Sequence, residues 1–280
     1  MGSSSAGRAR QSHCRGPGFD PPLLQFSAPS TVSLRVRRFV ITPACIKGET
    51  ITLDDPKEIH HLSRVLRLAV GDRVLCLDGQ GREYAGVIVQ QTFQQVLIHV
   101  DQPPREVSAT RLLWLGQALL KHDRFEWVVQ KATELGVSTI TPLVTARVIP
   151  VLLPRQASLK LARWRRIAQE AAKQCGRATI PFIEPPCPFE DVVPRMIGEG
   201  VVLIPTLVTT AVPIRTVLEA NRDPGAVAVV IGPEGDFTSA EVAQAQVHGA
   251  RPVSLGSRTL RAETAAIASL AMVSYALGEA

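Results

Sequence analysis

AVAVVIGPEGDFTSAEVAQAQVHGARPVSLGSRTLRAETAAIA, residues 226–268, is the stretch whose reading decides the fold. Ala226 to Ile231 is an unbroken apolar run rich in valine, the pattern of a strand covered on both faces. Gly232-Pro-Glu-Gly235 ends it. Thr238 is followed three residues later by Glu241, a capping-box spacing in which each side chain satisfies a backbone N–H at a helix start. That helix is expected to run to about His248, with Gly249 as its left-handed C-cap. Arg251 to Leu255 reads as a second short strand, Gly256 to Arg261 as a second loop, and Glu263 to Leu277 as a buried closing helix. Loops leaving the carboxyl ends of neighbouring strands in an open α/β sheet line one crevice, so both loops are expected to share a site.

Upstream, strands and helices alternate from residue 111. Arg111 to Leu115 reads as a strand, His122 to Leu135 as a helix closed by Gly136, Thr139 to Val144 as a strand, and Ser158 to Cys175 as a helix capped by Gly176. A helix from Phe189 to Ile197, a strand from Val201 to Pro205 and a helix from Ile214 to Ala220 lead into the opening stretch. This alternation predicts a mainly parallel sheet with helices on both faces.

The first third has a different period. Arg37 to Ile41, Ile51 to Leu53, Arg73 to Asp78, Glu83 to Val89 and Gln95 to Val100 read as strands of a small barrel, with Asp78-Gly-Gln-Gly81 as a hairpin turn. Asp55-Pro-Lys-Glu58 opens a helix with an N-cap, a proline at N1 and a glutamate at N3. On it Ile59, Leu62, Val65 and Leu66 make an apolar stripe, while His60, Arg64 and Arg67 make a polar one, either a phosphate-contacting face or a solvated one. The proline-bearing bridge Asp101 to Arg105 marks the boundary, so the expected division is a leader 1–36, a barrel 37–104 and an α/β domain 105–280.

The chain has 280 residues, 45% hydrophobic and 20% charged, ordinary values for a globular protein. Its apolar runs are strand length, far below the roughly 20 residues of a membrane span, so no membrane association is expected. Of the net charge of +6, residues 1–38 hold six arginines against Asp20, and the rest is nearly neutral. Composition alone therefore does not establish nucleic-acid binding. The leader is rich in Gly, Ser, Pro and Arg and reads as a disordered basic tail; a transit peptide shares its signature, but Pro17, Pro21 and Pro22 break the helix that one needs. Five cysteines without a C-x-x-C pair, and six histidines without an H-x-x-x-H pair, give no metal site and fit a reducing compartment.

Neither a P-loop nor a G-x-S-x-G elbow is present. The Gly232 to Gly235 loop either lets backbone groups approach a flat ligand or is a tight turn holding nothing. Leu255-Gly-Ser-Arg-x-Leu-Arg-x-Glu-Thr264 sets Arg258, Arg261 and Glu263 beside it; Arg261 and Glu263 either cap the closing helix or face an anionic ligand.

Together these motifs resemble the signature of the ribosomal RNA small subunit methyltransferase E (RsmE) family of the SPOUT superfamily. The resemblance extends to Phe125-Glu-x-x-x-Gln-Lys-Ala-Thr-Glu-Leu-Gly136, Ile140-Thr-Pro-Leu143, Gln174-Cys-Gly-Arg177 and His61-Leu-x-Arg-Val-Leu-Arg67, and covers residues 37–280. It implies a PUA-like RNA-binding β-barrel followed by a SPOUT methyltransferase domain with a trefoil knot. It also implies a cytoplasmic homodimer that uses S-adenosylmethionine to methylate N3 of the uridine at position 1498 of 16S rRNA, as free rRNA or in the small subunit. The cofactor would lie against Gly232, Pro233, Glu234, Gly235, Leu255, Gly256, Ser257, Leu260 and Arg261. Arg261 would stabilise the uracilate, and Glu263 or Glu234 would take the proton. Arg38, Arg64, Arg67, Arg147 and Arg177 become RNA contacts. Ile204 to Thr210 departs from the family's polar stretch, and the leader lies outside its pattern. A SPOUT enzyme with another RNA target, or a non-catalytic RNA-binding assembly factor, are the alternatives.

Overall fold

The computed structural model describes residues 37–107, 112–148, 153–208, 210–221 and 224–278. The leader, and Arg111 of the expected strand, lie outside them.

The chain opens with β1 (Arg37–Val40), β2 (Ile46–Lys47), β3 (Thr50–Leu53) and α1 (Pro56–His60), continued by a π turn over His61–Val65. Then come β4 (Arg73–Leu77), β5 (Arg82–Gln91), β6 (Val96–Val100) and β7 (Arg105–Glu106). The strand order is β1-β4-β5-β6-β3-β2, with β7 on β5; β1 and β4 run parallel and the other pairs antiparallel. Phe39 of β1 and Ile51 of β3, far apart in that order, share a core with Ile59, Leu62, Ile88 and Ile98, so the sheet wraps round it. Asp55 caps α1 as expected, its side chain accepting from Lys57 N at 2.8 Å.

One expectation for α1 changes. The π turn adds a residue to the helical circuit, and Arg67 lies beyond it at φ 55°. His60 and Arg64 stay on one side, but the three-membered polar stripe of a straight α-helix is not formed. Val65 likewise leaves the apolar stripe and is 60% exposed.

The second half runs β8 (Leu112–Ala118), α2 (Arg124–Glu134), β9 (Thr139–Val144), α3 (Pro154–Cys175), β10 (Phe182–Ile183), β11 (Cys187–Pro188) and α4 (Phe189–Glu199). It continues with β12 (Val201–Pro205), β13 (Val212–Pro213), α5 (Ile214–Ala220), β14 (Ala226–Ile231), α6 (Ser239–Val247), β15 (Arg251–Ser254) and α7 (Ala262–Leu277). The order is β10-β9-β8-β14-β12-β15-β13, with β11 on β9, and every described pair is parallel. β14 is central and wholly buried. Val227, Val229 and Ile231 pack into the core that holds α2, α3 and α7, while Ala228 and Val230 face the core of α4 and α6. The valine run thus serves two layers, each buried Val or Ile stabilising by roughly 1.5–3 kcal/mol.

The two sheets are joined. Lys173 of α3 pairs with Glu58 of α1, their side chains 16% and 17% exposed. The Asp78 to Gly81 turn docks on the following segment: Ile180 N donates to Gly79 O and Gly81 N to Ala178 O, both at 3.1 Å. Val40, Leu77 and Ala178 form a small core across the junction.

Candidate functional site

Parallel strands deliver their carboxyl ends to one edge, and there the loops after β12, β14 and β15 enclose a cleft of ≈ 410 Å³, within the range of small-molecule sites. Of the expected cofactor contacts, Gly232, Pro233, Glu234, Leu255, Gly256, Leu260 and Arg261 line it; Gly235 and Ser257 do not.

The 232–237 loop is built to hold its shape. A Cβ on Gly232 would come 3.1 Å from Phe237 N and 3.2 Å from Asp236 Oδ1, so this glycine lets the turn fold back on itself. Asp236 takes φ 59°, a conformation Asp tolerates better than most residues. Its Oδ1 accepts from Phe237 N at 2.7 Å, and its Oδ2 accepts from Thr206 Oγ1 at 3.1 Å and Leu207 N at 3.3 Å. The loop after β12 is thereby buckled to the loop after β14. On the other side Arg147 Nη1 donates to Gly235 O at 2.7 Å and Phe237 O at 3.3 Å.

The expected capping box is present. Glu241 N donates to Thr238 Oγ1 at 3.2 Å and Thr238 N to Glu241 Oε2 at 2.8 Å. Glu241 Oε1 also accepts from Ala146 N at 2.9 Å, which ties in the loop after β9.

Gly256 behaves differently. Its φ is +121°, and a Cβ there would meet nothing within 4 Å. Here the absent side chain leaves open space in the cleft, and the backbone is accessible to a ligand.

Arg124, at the start of α2, lies 3.8 Å from both Glu234 Oε1 and Glu263 Oε1. Glu234 Oε1 also accepts from Lys121 N at 3.2 Å. The second oxygen of Glu263 is buried and has no hydrogen-bond partner. Arg124 lines the cleft and Glu263 does not. The sequence reading missed Arg124 and Asp236. A signal existed for Arg124: a cation in the first turn of a helix opposes the helix dipole and needs an external reason to be there.

Arg261 repeats that signal without the compensation. It stands at the N-cap of α7 and lines the cleft, exposed. Its backbone O accepts from Ala265 N at 2.8 Å, whereas its guanidinium, like that of Arg258, has no partner among the described residues.

The other expected arginines divide. Arg177 donates to Thr133 O at 2.7 Å, Val137 O at 2.9 Å and Thr179 Oγ1 at 3.1 Å, and so braces the end of α2. Arg38 lies against Gly176 at the junction of the two sheets, where a Cβ would come 3.0 Å from its Cζ. Arg64 and Arg67 are exposed. Lys131 pairs with Glu134 at 2.8 Å. Burial, with a smaller effect of nearby Cys45, pushes the Cys76 thiol in the barrel core up to about 12. No group of three or more His, Cys, Asp or Glu among the described residues could hold a metal ion, and no described helix is long and apolar enough to cross a membrane.

Known proteins share this arrangement. Residues 108–274 match the family model of the RNA methyltransferase domain, and residues 53–101 that of the RNA methyltransferase PUA domain. The ribosomal RNA small subunit methyltransferase E of Synechocystis sp. is 34% identical over 86% of this chain and 78% of its own length. Its namesake in Bacillus subtilis is 28% identical over 78% of this chain and 88% of its own. A Legionella pneumophila protein, solved in complex with its bound cofactor SAM, superposes with a TM-score of 0.76 at 32% identity over 87% of this chain and 98% of its own. The Neisseria gonorrhoeae methyltransferase E, solved bound to S-adenosyl methionine, gives 0.74 at 27% identity over 86% and 97%.

Proposed function

Because the chain belongs to the ribosomal RNA small subunit methyltransferase E family, we propose that it methylates N3 of one uridine, at position 1498, in the 16S rRNA of the small ribosomal subunit. It is an RNA methyltransferase, and its cofactor is S-adenosylmethionine. The cleft suits that cofactor: Gly256 leaves room at the backbone, and Asp236 and Arg147 hold the flanking loops in place.

When bound, the cofactor supplies an electrophilic methyl group. The chain must supply position and charge. N3 of uracil is a weakly acidic imide that loses its proton before or during attack, so an anion develops on the ring. The observation that carries the reading is Arg261, a cation set against a helix dipole with no carboxylate to neutralise it. It stabilises the developing uracilate. Glu234, which lines the cleft, is the better placed proton acceptor, while Glu263 orients Arg124 from outside.

Arg64 and Arg67 provide phosphate contacts on the barrel, with Arg38 at its junction. Arg147 and Arg177 brace loops through backbone carbonyls. The 204–210 segment supplies Pro205, Thr206 and Leu207 to the cleft wall. A homodimer, a trefoil knot in the C-terminal α/β domain and a cytoplasmic site of action complete the proposal, as does the division into barrel and methyltransferase domain near residue 105. The dimer is supported by α7, which has no charged residue after Glu263 and leaves Met272 39% and Tyr275 81% exposed.

The test is methyl transfer from labelled S-adenosylmethionine to small subunits from a strain lacking the enzyme. Label recovered as 3-methyluridine at the expected position supports the reading. Label in another nucleoside moves the target, and no label at all refutes it.

A further inference from the structure

The barrel carries a second concavity, remote in sequence from the catalytic loops. It is a groove of ≈ 740 Å³ between the α1 segment and the β5–β6 hairpin, with His60, Arg64, Val70, Gln91 and Phe93 among its lining. Phe93 is 93% exposed. A phenyl ring exposed to water is a cost that a binding surface repays, and the turn that carries this one is hydrogen-bonded at both ends. Thr92 N donates to Gln95 O at 2.9 Å, and Thr92 Oγ1 accepts from Gln95 N at 3.0 Å and Gln94 N at 3.3 Å. The turn is therefore locked on both sides of Phe93. A bulge between Ile88 and Gln90 re-aims the strand that leads into it.

The electrostatics select the occupant. His60 and Arg64 lie on one side of the α1 segment, no carboxylate lines the groove, and neither the imidazole nor the guanidinium has a partner among the described residues. An exposed aromatic face on a hydrogen-bonded turn, beside an unneutralised guanidinium and an imidazole, is the chemistry of single-stranded nucleic acid, whose bases stack while its phosphates meet the guanidinium and the imidazole. An apolar peptide would leave the Arg64 guanidinium unmatched.

We propose that Phe93 is a stacking platform for an unpaired RNA base, with Arg64 and His60 holding the adjoining phosphate. The site rests on the reading of this chain as an RNA-modifying enzyme, and adds to it a preference for single-stranded RNA at a distance from the reacting uridine.

The experiment compares the full-length chain with Phe93→Ala and Phe93→Trp, titrated against a short fluorescein-labelled oligouridine and an RNA duplex of equal length. Phe93→Ala is expected to weaken oligouridine binding about ten-fold with an unchanged salt slope, because stacking releases no counterions. Phe93→Trp is expected to restore the affinity, with its added emission quenched by the base. Wild-type affinity for oligouridine in Phe93→Ala, or an equal loss for both RNAs, overturns the proposal. Methyl transfer by the wild type is measured alongside. Transfer without a Phe93 dependence sinks the platform alone; a Phe93 dependence without transfer sustains the platform and sinks the catalytic reading.

Discussion

The cleft at the carboxyl edge of the parallel sheet and the groove on the barrel treat their cations in opposite ways. Around the cleft most charge is spent on the protein itself: Arg124 lies between Glu234 and Glu263, Arg147 donates to two carbonyls, and Asp236 ties two loops. Arg258 and Arg261 are the exceptions, without partners among the described residues. On the barrel, the cations Arg64 and Arg67 stand free among the described residues and are exposed, as is the neighbouring His60. The difference teaches what each surface asks of a ligand. A small cofactor needs a rigid cradle, and rigidity consumes side chains; a long polyanion needs accessible charge, and tolerates mobility in the groups that supply it.

The largest effect is expected at the exception. Arg261→Ala is predicted to lower kcat at least about a hundred-fold, the scale of losing one preorganised charge contact in a transition state. Cofactor affinity measured by calorimetry should change much less. Comparable losses in both would make Arg261 another brace and erase the contrast.

Next comes the joint between the two surfaces. Burial lowers the Lys173 pKa, but the hydrogen bond and charge of Glu58 outweigh it, so the net shift is upward. A raised lysine pKa gives stability that is complete below the ordinary lysine range and lost as pH rises through the folded value. Lys173→Met is therefore predicted to cost about 2 kcal/mol in urea unfolding at neutral pH, with the gap to wild type closing as the pH rises through the folded lysine value. A gap that is constant through alkaline pH would show that the ion pair contributes little.

The smallest effects separate two exposed arginines of like appearance. Arg147→Ala is expected to cost about 1 kcal/mol of stability and to leave the salt dependence of RNA binding unchanged. Arg64→Ala is expected to leave stability unchanged and to reduce the salt slope by about one. Interchanged results would reverse the assignment of brace and contact.

Most of the architecture was legible because the code for it is local. The valine run, the Thr238–Glu241 box, Gly136, Gly176 and Gly249 each specify an element from within a few residues. The bounds of β9, β12, α5 and β14 agree with the sequence expectation to the residue. Much of the cleft was legible for the same reason, since the loops after β14 and β15 that supply most of its lining lie within one stretch of sequence. What escaped was long-range or phase-dependent. Arg124 meets carboxylates more than a hundred residues away, and only its unfavourable place on the helix dipole marks it. Gly232 and Gly256 read alike in sequence, yet one serves the turn's own closure and the other leaves the cleft open. Arg147 and Arg177 read alike as phosphate contacts, and their bracing bonds to backbone carbonyls are not written in the sequence. The π turn after α1 displaces Arg67 from a stripe that ideal periodicity predicts. Phe93 carries no pattern at all, because one aromatic in a polar turn becomes informative only when its exposure is known.

The central claim is that the cofactor is received by open backbone between two braced loops. Its most direct test is calorimetric titration of S-adenosylmethionine into the wild type and Gly256→Val, with RNA affinity of both proteins as the control for folding. The account predicts a saturable heat in the wild type that is lost in Gly256→Val, while RNA affinity is retained. Cofactor binding by Gly256→Val at wild-type strength would contradict it.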